Sequence, residues 1–493
     1  MVLVKIDRRA AIPVFLQIAN QLRRLMEGGT LKVGSRLPAT RNLAQALGVN
    51  RTTVCEAYQE LWALGYIESR PGSYTRVRER GRIADARSRS GAGAIRWQEA
   101  APRAGETVYR QMVASTGKIH SETSPGEINL SRLDMDSRLF PLEDFRRCLQ
   151  HVLVRQGPSL LNYGEAQGYR PLREYIAARS RIHGLSVEAD EILITNGSQQ
   201  AIDLVFRLLA PKGETVAIES PTYANVIPIL RYHECRILGV PMRDDGMDLD
   251  FLRRILKRQR PAFIYTMPNF QNPTGVTTSQ AHREQLLQIC SLHRVPLVED
   301  GFEEEMKYFG KVSLPIKSMD QNRLVIYLGT FSKVLFPGVR IGWIAADREC
   351  IQRLLAIKRI SDLSSTPLLQ AALYDFCRRE YFDRHVRRMH REFRKRMLTA
   401  LSALRDHLPV EHVRWTQPTG GFLIWVKFLN RQVDEERFYR ICARARVSVS
   451  PGAFYFPRVD GDKSFRVSIS NLEEAEIREG LRRLGRAIRQ AVP

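Results

Sequence analysis

The pattern of apolar and polar positions divides the chain into three zones. In residues 1–78, apolar side chains recur every three or four positions, as at Val14, Ile18 and Leu22, which predicts helices. Residues 79–127 lose this periodicity and are rich in Gly, Ala, Ser and Arg, which predicts a flexible linker. In residues 128–493, helical segments alternate with short β-rich runs such as TVAIES and VPLVED, which predicts an α/β domain with a mostly parallel sheet.

The first zone has the spacing of a helix-turn-helix. Thr40 is expected to cap a short helix over residues 41–47 that stops at Gly48, and Asn50 is expected to cap the next helix. Two helices joined by a tight turn with a glycine form this motif. The first residues of its second helix meet base edges in the major groove of DNA. The run GYIESRPGSYTRV that follows predicts a small β-wing, and the whole zone is expected to be an α+β domain.

The segment GSRLPATRNLAQALGVNRTTVCEAYQELWALGYIESRPG resembles the GntR family of winged-helix regulators over nearly its whole length. That resemblance implies binding to double-stranded operator DNA. The residues that it implies as DNA contacts are Arg41, Arg51, Thr52, Thr53 and the wing glycine Gly72. We also expect Arg70 and Arg76 to touch phosphates, although PGSYT replaces the more usual Gly-x-Gly-Thr run of the wing. A three-helix protein-interaction module with solvated arginines is the alternative.

Seven motifs of the third zone resemble, in the same order, the cofactor site of fold-type I enzymes that use pyridoxal phosphate (PLP). They are LNYGEAQGYRPLREYI, LITNGSQQAIDLVF, ESPTYAN, NFQNPTG, PLVEDGF, FSKVLFPGVRIGW and SFRVSIS. One such motif can occur by chance, whereas all of them in order agree with a single site. The resemblance implies a large α/β domain with a mostly parallel sheet, a small α/β subdomain, and PLP as the cofactor.

The resemblance also implies a role for particular residues. Lys333 would form the Schiff base, since a lysine amine condenses with the PLP aldehyde. Asp300 would keep the pyridinium nitrogen protonated, Asn272 would hydrogen-bond the phenolate oxygen, and Tyr223 would stack on the ring. The residues implied for the phosphate and its surroundings are Gly197, Ser198, Gln199, Thr330 and Arg340.

Two further residues concern the partner subunit and the ligand. Tyr163 would reach the phosphate in the neighbouring subunit, which implies a head-to-tail homodimer. Arg466 occupies the position of the arginine that pairs with a ligand carboxylate. One position departs from the family, because Phe302 stands where a tyrosine usually bonds the same phenolate oxygen as Asn272. The missing hydroxyl removes a hydrogen bond worth about 1 kcal/mol.

The composition of the chain restricts the classes of partner and binding site that it can have. The formal net charge of +23 favours a polyanionic partner, either nucleic acid or an acidic membrane surface. Seven scattered cysteines without a CxxC pair, and ten histidines without metal-ligand spacing, predict a cytoplasmic protein with neither disulfides nor a metal site. No run of 18 apolar residues occurs, so no transmembrane helix is expected, and a membrane is not among the expected partners. Part of the charge lies in RHVRRMHREFRKRM, residues 384–397, which either lines a DNA-facing surface or is a solvated helix face.

A GntR-like reader joined by a linker to an aminotransferase-like domain is the layout of the MocR/GabR family of regulators, which the whole chain resembles. We therefore expect a PLP-dependent regulator of catabolic or biosynthetic genes. An amino-compound effector would form an external aldimine at the cofactor and reposition the DNA readers. We expect the aminotransferase-like domain to sense this effector rather than to catalyse transamination. An active aminotransferase with a DNA-binding appendage, and a DNA-binding protein whose PLP domain only dimerises, are the alternatives. The founder of this family is linked to rhizopine catabolism, which suggests that pathway as one candidate for the regulated genes.

Overall fold

The computed structural model describes residues 4–69, 74–79, 97–119, 125–302, 305–311, 313–458 and 463–492. The chain divides into two compact units, Met1–Ala100 and Ala101–Pro493. In the described part of the chain, no helix combines the length and the apolar character that crossing a bilayer requires.

The first unit is built from helices and a two-stranded antiparallel sheet. Its elements are α1 (Val14–Glu27), α2 (Thr40–Leu47), α3 (Arg51–Ala63), β1 (Ile67–Glu68), β2 (Arg76–Val77) and α4 (Trp97–Ala100). Helix α1 packs against α3 and buries Ile18 and Leu22, as their helical spacing predicts. Strands β1 and β2 pair with Ile67 opposite Val77, which is the predicted wing.

The turn between α2 and α3 agrees with the sequence at both ends, whereas the start of α2 does not. Gly48 ends α2 in the left-handed conformation, with φ of 61°, which a glycine adopts without steric cost. Asn50 caps α3, since its Oδ1 accepts a hydrogen bond from the Thr52 backbone N–H at 3.3 Å. The prediction that Thr40 caps α2 is wrong, because Thr40 is already helical and no side chain caps this helix. The Thr40 hydroxyl instead accepts a hydrogen bond from Nε of Arg51 at 3.4 Å.

The second unit combines long helices with two main sheets. Its helices are α5 (Arg103–Ile119), α6 (Leu142–Leu160), α7 (Arg170–Ile182), α8 (Ser198–Leu209), α9 (Val226–Tyr232), α10 (Leu249–Leu256), α11 (Gln280–His293), α12 (Arg348–Ser361), α13 (Pro367–Arg378), α14 (Tyr381–His407), α15 (Glu435–Arg444) and α16 (Glu474–Ala491). Its strands are β3 (Ile128–Asn129), β4 (Ile192–Thr195), β5 (Thr215–Ser220), β6 (Arg236–Arg243), β7 (Gly246–Met247), β8 (Ile264–Thr266), β9 (Leu297–Asp300), β10 (Val325–Thr330), β11 (Gly342–Ala345), β12 (Val413–Trp415), β13 (Leu423–Phe428), β14 (Val447–Ser448), β15 (Ser450–Pro451) and β16 (Ser464–Ser468).

Part of the predicted linker is folded. Helix α5 lies inside the range 79–127 that the sequence assigned to a flexible linker, and it belongs to the second unit. It packs against α9, where Gln111 Oε1 accepts a hydrogen bond from Nη1 of Arg231 at 2.6 Å. For this segment the linker prediction is wrong. Its half-buried face carries small and polar residues such as Ala104 and Gln111, so hydrophobic periodicity did not reveal it.

The main sheet has eight strands in the order β4-β11-β10-β9-β8-β5-β6-β7. Strands β10, β9, β8, β5 and β6 run parallel to one another, whereas β11 is antiparallel to both of its neighbours. Every residue of β10 is buried, as is typical of a parallel strand covered on both faces. Because carboxyl ends of parallel strands meet at one edge, Thr266, Asp300 and Thr330 share that edge.

A smaller antiparallel sheet, with the order β12-β13-β16-β15, forms the second layer of this unit. Helices α14, α15 and α16 pack with it and with one another. Arg466 lies in the middle of β16, opposite Trp425 of β13 and Ser450 of β15. The predicted architecture, a winged helix-turn-helix followed by an α/β domain with a mostly parallel sheet and a small subdomain, is therefore confirmed.

Candidate cofactor site

A cavity lies at the carboxyl ends of β8, β9 and β10. It is lined by Leu133, Ser198, Tyr223, Met267, Asn272, Asp300, Phe302, Thr330, Ser332 and Lys333. Six of the predicted site residues are among these, namely Ser198, Tyr223, Asn272, Asp300, Thr330 and Lys333. Residues far apart in the sequence thus meet at one place.

Asp300 ends β9, and only one of its two carboxylate oxygens accepts a hydrogen bond from a neighbouring side chain among the described residues. The Tyr265 hydroxyl donates a hydrogen bond to its Oδ2 at 2.6 Å, whereas its buried Oδ1 accepts no well-formed hydrogen bond within the described residues. Burial raises the pKa of Asp300 to about 6, because the charged form loses its hydration. A buried acceptor without a donor is costly, so this oxygen suits a ligand that brings an N–H group.

Asn272 is oriented by Arg466. Nη1 of Arg466 donates to Asn272 Oδ1 at 3.1 Å, and Nη2 donates to the Ser131 carbonyl oxygen at 2.7 Å. With its oxygen engaged in this way, the amide has its NH₂ group left to donate to a ligand. The guanidinium of Arg466 also lies over the Tyr455 ring, 5.2 Å from the centroid, and its Nε is buried without a partner among the described residues. Arg466 therefore adjoins the cavity through Asn272 and does not line it.

The start of α8 brings small residues and an arginine together. Gly197 has φ of 83°, and a Cβ at this position would lie 2.7 Å from Nη2 of Arg340. That guanidinium donates to the Asn196 carbonyl oxygen at 2.9 Å. The neighbouring Ser332 hydroxyl is buried and has no partner in the described part of the chain. Hydroxyls, an arginine and the amino end of a helix are the groups that bind phosphate in proteins.

Lys333 and Tyr223 complete the lining. Nζ of Lys333 donates a hydrogen bond to the Leu133 carbonyl oxygen at 2.9 Å. The Tyr223 hydroxyl donates to Gln199 Oε1 at 3.2 Å and accepts from Nδ2 of Asn225 at 2.9 Å, which fixes the ring. Gln199 thus acts through Tyr223 rather than by lining the cavity.

Phe302 stands in the cavity wall, so the position offers no hydroxyl. The glycine before it has a packing reason, because a Cβ at Gly301 would collide with the Tyr327 ring. Phe302, which departs from the usual family pattern, gives this wall an apolar and aromatic surface.

A buried carboxylate supports the loop that carries Asn272. Glu219 accepts hydrogen bonds from the Thr266 hydroxyl at 2.5 Å, the Met267 backbone N–H at 3.0 Å and Nε2 of Gln271 at 2.9 Å. Burial raises the pKa of Glu219 to about 7. Because Gln271 directly precedes Asn272, this network holds the backbone of the NFQNPTG loop.

Sequence reasoning missed Tyr265, Glu219 and Ser332. A signal existed for Ser332 only, since it directly precedes the lysine. The two others reach the site through strand pairing and loop folding, which no local pattern reveals.

Other predicted residues lie outside the cavity. Tyr163 is on the surface, with 77% of its side chain exposed. Arg41, Arg51 and Thr52 are exposed at the starts of α2 and α3, and Thr53 is half-buried. The predictions for Arg70 and Gly72 fall outside the described residues, whereas Arg76 is exposed on β2.

Both units match known families. Residues 127–484 match the family described as aminotransferase class I and II, and residues 15–77 match the bacterial regulatory proteins of the gntR family. The chain belongs to the class I and II aminotransferase family. Related aminotransferases of this fold depend on PLP, so PLP is the cofactor of the second unit, as predicted. The open acceptor on Asp300, the open hydroxyl on Ser332 and the lysine in one cavity suit that cofactor.

Individual relatives resemble either one unit or the whole chain. The crystal structure of LysN, an alpha-aminoadipate aminotransferase from Thermus thermophilus complexed with N-(5'-phosphopyridoxyl)-L-leucine, has a TM-score of 0.73 and 32% identity, covering 81% of this chain and 99% of that one. The uncharacterized HTH-type transcriptional regulator YdfD of Bacillus subtilis (strain 168) is 29% identical over 97% of both chains. The probable rhizopine catabolism regulatory protein MocR of Rhizobium meliloti is 28% identical, covering 97% of this chain and 94% of that one.

The end-to-end similarity to proteins named as regulators supports the predicted MocR/GntR-type family. An identity of 28% does not make the chain MocR itself. Together, the GntR-type domain and the PLP domain make this protein a PLP-linked transcription regulator.

Proposed function

We propose that the second unit binds an amino-compound effector at the cofactor on Lys333, and that this changes how the GntR-type domain binds its operator. The observation that carries the proposal is the shared cavity of Lys333, Asp300 and Asn272 in a chain that also has a GntR-type domain. A domain that only dimerises has no need of a lysine beside a buried carboxylate with an open acceptor. This argues against the scaffold alternative.

PLP supplies an aldehyde that condenses with primary amines and a ring that accepts electrons. Asp300 would hold the proton of the ring nitrogen, and Asn272 would donate its NH₂ group to the phenolate oxygen. The residues that would hold the phosphate are Ser198, Thr330, Ser332 and Arg340. Asp300 Oδ1 and the Ser332 hydroxyl have no hydrogen-bond partner among the described residues, and hydrogen bonds hold Asn272 and Arg340 in place.

Arg466 suggests the class of effector. It is 7% exposed, and its Nε has no partner among the described residues. A guanidinium with an open donor binds a carboxylate strongly when both are shielded from water. We therefore propose an amino acid, or an amine that carries a carboxylate, as the effector. Rhizopine catabolism remains one proposed pathway, supported only by the 28% identity to MocR.

Phe302 favours sensing over turnover, since it removes one hydrogen bond to the cofactor. An active aminotransferase is the second candidate, because the other residues implied for the cofactor are present and LysN is 32% identical. The two differ in one measurement, namely the number of amino donor molecules converted to their keto acid per protein when the donor and a keto acid acceptor are both in excess. Sustained conversion supports the enzyme, whereas no conversion, or a stop after about one equivalent of donor, supports the sensor.

We propose a head-to-tail dimer formed by a patch of exposed apolar side chains on the second unit. The patch consists of Leu161, Tyr163, Ile360 and Leu363, which are exposed by 73%, 77%, 85% and 61%. A hydrogen bond of 3.3 Å from the Gly164 backbone N–H to the Ser364 hydroxyl brings the two segments together. Exposed apolar patches of this kind mark protein interfaces. Tyr163 would then reach the partner's phosphate, and Tyr163→Ala would weaken PLP binding.

The test is a footprint of the full-length, PLP-loaded protein on genomic DNA fragments that it selects, repeated with a series of primary amines. Because DNA would place the protein in the cytoplasm, amines present there are screened first. An amine that changes the visible absorbance should also change the footprint. Lys333→Ala should keep the footprint without amine and lose the response, whereas Lys212→Ala, a surface lysine paired with Glu234, should keep both. An amine response that survives in Lys333→Ala contradicts the proposal.

A further inference from the structure

Helix α14 carries six basic side chains on its exposed face. They are Arg384, Arg387, Arg388, Arg391, Arg394 and Lys395, here called the basic stripe. Their spacing of three and four residues places them on one side of the helix. The opposite side is buried and includes Phe382, Met389 and Phe393. The basic stripe is thus separate from the packing face, so packing does not explain its composition.

Few acidic groups compensate this charge. Asp383 binds Nη1 of Arg179 at 2.6 Å, and Glu392 approaches Nζ of Lys395 only to 3.7 Å. None of the five arginines of the stripe forms an ion pair within the described ranges. Two of them lie over aromatic rings, Arg384 over Tyr381 and Arg394 over Phe309. These contacts hold the guanidinium groups at the surface without neutralising them.

We infer that the basic stripe is a second, sequence-independent contact surface for duplex DNA, in addition to the GntR-type domain. The inference rests on the proposed function, which makes DNA the partner of this chain. The stripe extends over about 17 Å at 1.5 Å per residue. A duplex segment of that length carries about ten phosphate charges. The positive charge of the stripe complements the phosphates, and the GntR-type domain gives this chain duplex DNA as a partner, which favours DNA over other polyanions.

The test compares three full-length, PLP-loaded proteins on a mixed-sequence duplex that carries no selected site. The first is the unchanged chain. The stripe variant replaces Arg384, Arg387, Arg388, Arg391, Arg394 and Lys395 with Gln. The control variant makes the same change of charge at other exposed positions, namely Lys257, Arg258, Arg440, Arg444, Arg478 and Arg486. Absorbance of bound PLP and the unfolding midpoint show that each variant is folded.

The measured quantity is the affinity for the duplex as a function of salt concentration. Each neutralised phosphate contributes a slope of about 0.9, so the stripe variant should lose about 3 to 5 units of slope. At low salt it should bind at least about 100-fold more weakly than the unchanged chain. The control variant should stay within a few-fold. An unchanged slope in the stripe variant, or an equal loss in both variants, overturns the inference.

Two further outcomes are informative. If the stripe variant loses binding to phosphatidylserine vesicles but keeps its binding to duplex DNA, the face serves a membrane surface and the inference is wrong. If no operator footprint exists while stripe-dependent duplex binding remains, the proposed regulator function fails and the inference stands. If the operator footprint exists but the stripe variant has an unchanged salt slope, the proposed regulator function stands and the inference fails.

Discussion

The two candidate binding surfaces of this protein are built in opposite ways. In the GntR-type unit, Arg41 and Arg51 are exposed, and Arg51 is held by one weak hydrogen bond to Thr40. In the cofactor cavity, Asp300 and Asn272 are buried and oriented by Tyr265 and Arg466. The DNA-binding surface therefore depends on its partner for order, whereas the cofactor site is ordered before the cofactor binds.

This difference has a consequence for mutation. Removing an exposed side chain leaves no buried group without a partner, so folding is little affected. Removing a buried polar side chain leaves its partners unsatisfied and costs stability as well as binding. We therefore expect mutations in the first unit to weaken DNA binding without affecting folding. Mutations of buried polar residues in the second unit should weaken both cofactor binding and folding.

The largest expected effect is on operator binding by the double variant Arg41→Ala and Arg51→Ala. A good arginine contact to a base is worth about 1–3 kcal/mol, so the pair should cost about 30-fold to 10⁴-fold in operator affinity. The free energy of unfolding should change by no more than about 0.5 kcal/mol. Fluorescence anisotropy on the selected operator and urea unfolding measure the two quantities.

The double variant Arg9→Ala and Arg24→Ala is the matched control, since it removes the same two charges at exposed positions outside the helix-turn-helix. It should retain operator affinity within a few-fold. An equal loss in this variant would show that total charge, and not the predicted recognition surface, carries binding.

The second effect is smaller and concerns the buried carboxylate of Asp300. Asp300→Asn keeps the shape and still accepts the Tyr265 hydrogen bond, but it removes the charge that would face the ring nitrogen. A hydrogen bond to a charged group is worth about 1.5–3 kcal/mol, so PLP should bind about 10-fold to 150-fold more weakly. Absorbance titration of the apo-protein with PLP measures this loss, while operator affinity without effector should be unchanged.

Tyr265→Phe separates orientation from charge in the same experiment. It keeps the carboxylate and removes only the hydrogen bond at 2.6 Å to Oδ2. PLP should then bind only a few-fold more weakly. If Asp300→Asn binds PLP as tightly as the unchanged chain, the role proposed for the Asp300 carboxylate at the ring nitrogen is wrong.

The sequence predicted the cofactor cavity better than it predicted the network behind it. Asp300 ends a strand, Lys333 and Asn272 come after strands, and all three stand in motifs, so the order of the strands brings them to one edge. Tyr265 lies 35 residues from Asp300, and Glu219 lies 52 residues from Gln271. Such pairs meet only through the pairing of β8 with its neighbours and the folding of a loop, which no window of sequence contains.

Periodicity was reliable where large apolar residues form the buried face and failed elsewhere. Helices α1 and α3 have that pattern, with Leu22 and Leu61 fully buried. Helix α5 does not, because Ala104 and Gln111 take those positions. The Thr40 error has another physical cause, since its hydroxyl is engaged by Arg51 in the tertiary structure rather than by its own helix.

The smallest expected effect tests the network behind the cavity through its pH dependence. The pKa of Glu219 is raised by burial from 4.5 to about 7 in the folded protein. Between these values the folded protein holds a proton that the unfolded chain has released, so stability falls as pH rises through this window. Glu219→Gln has no such proton. The unfolding free energy of the unchanged apo-protein, relative to this variant, should therefore fall by about 1–2 kcal/mol from pH 5 to pH 7.

Urea unfolding of both apo-proteins at several pH values measures this difference, and the choice of control decides what it means. Asp300 also has a raised pKa but is present in both proteins, so its contribution cancels to first order. Glu349→Gln is the matched surface control, because Glu349 is exposed and pairs with Arg353 one turn away. It should show no pH-dependent difference in this window. If the difference in unfolding free energy between the unchanged protein and Glu219→Gln also stays constant with pH, the Glu219 carboxylate is ionised at pH 5. The three donors around it would then outweigh the effect of its burial. The cofactor loop would then be held by a charge rather than by a shared proton, and the contrast between the two surfaces would be sharper still.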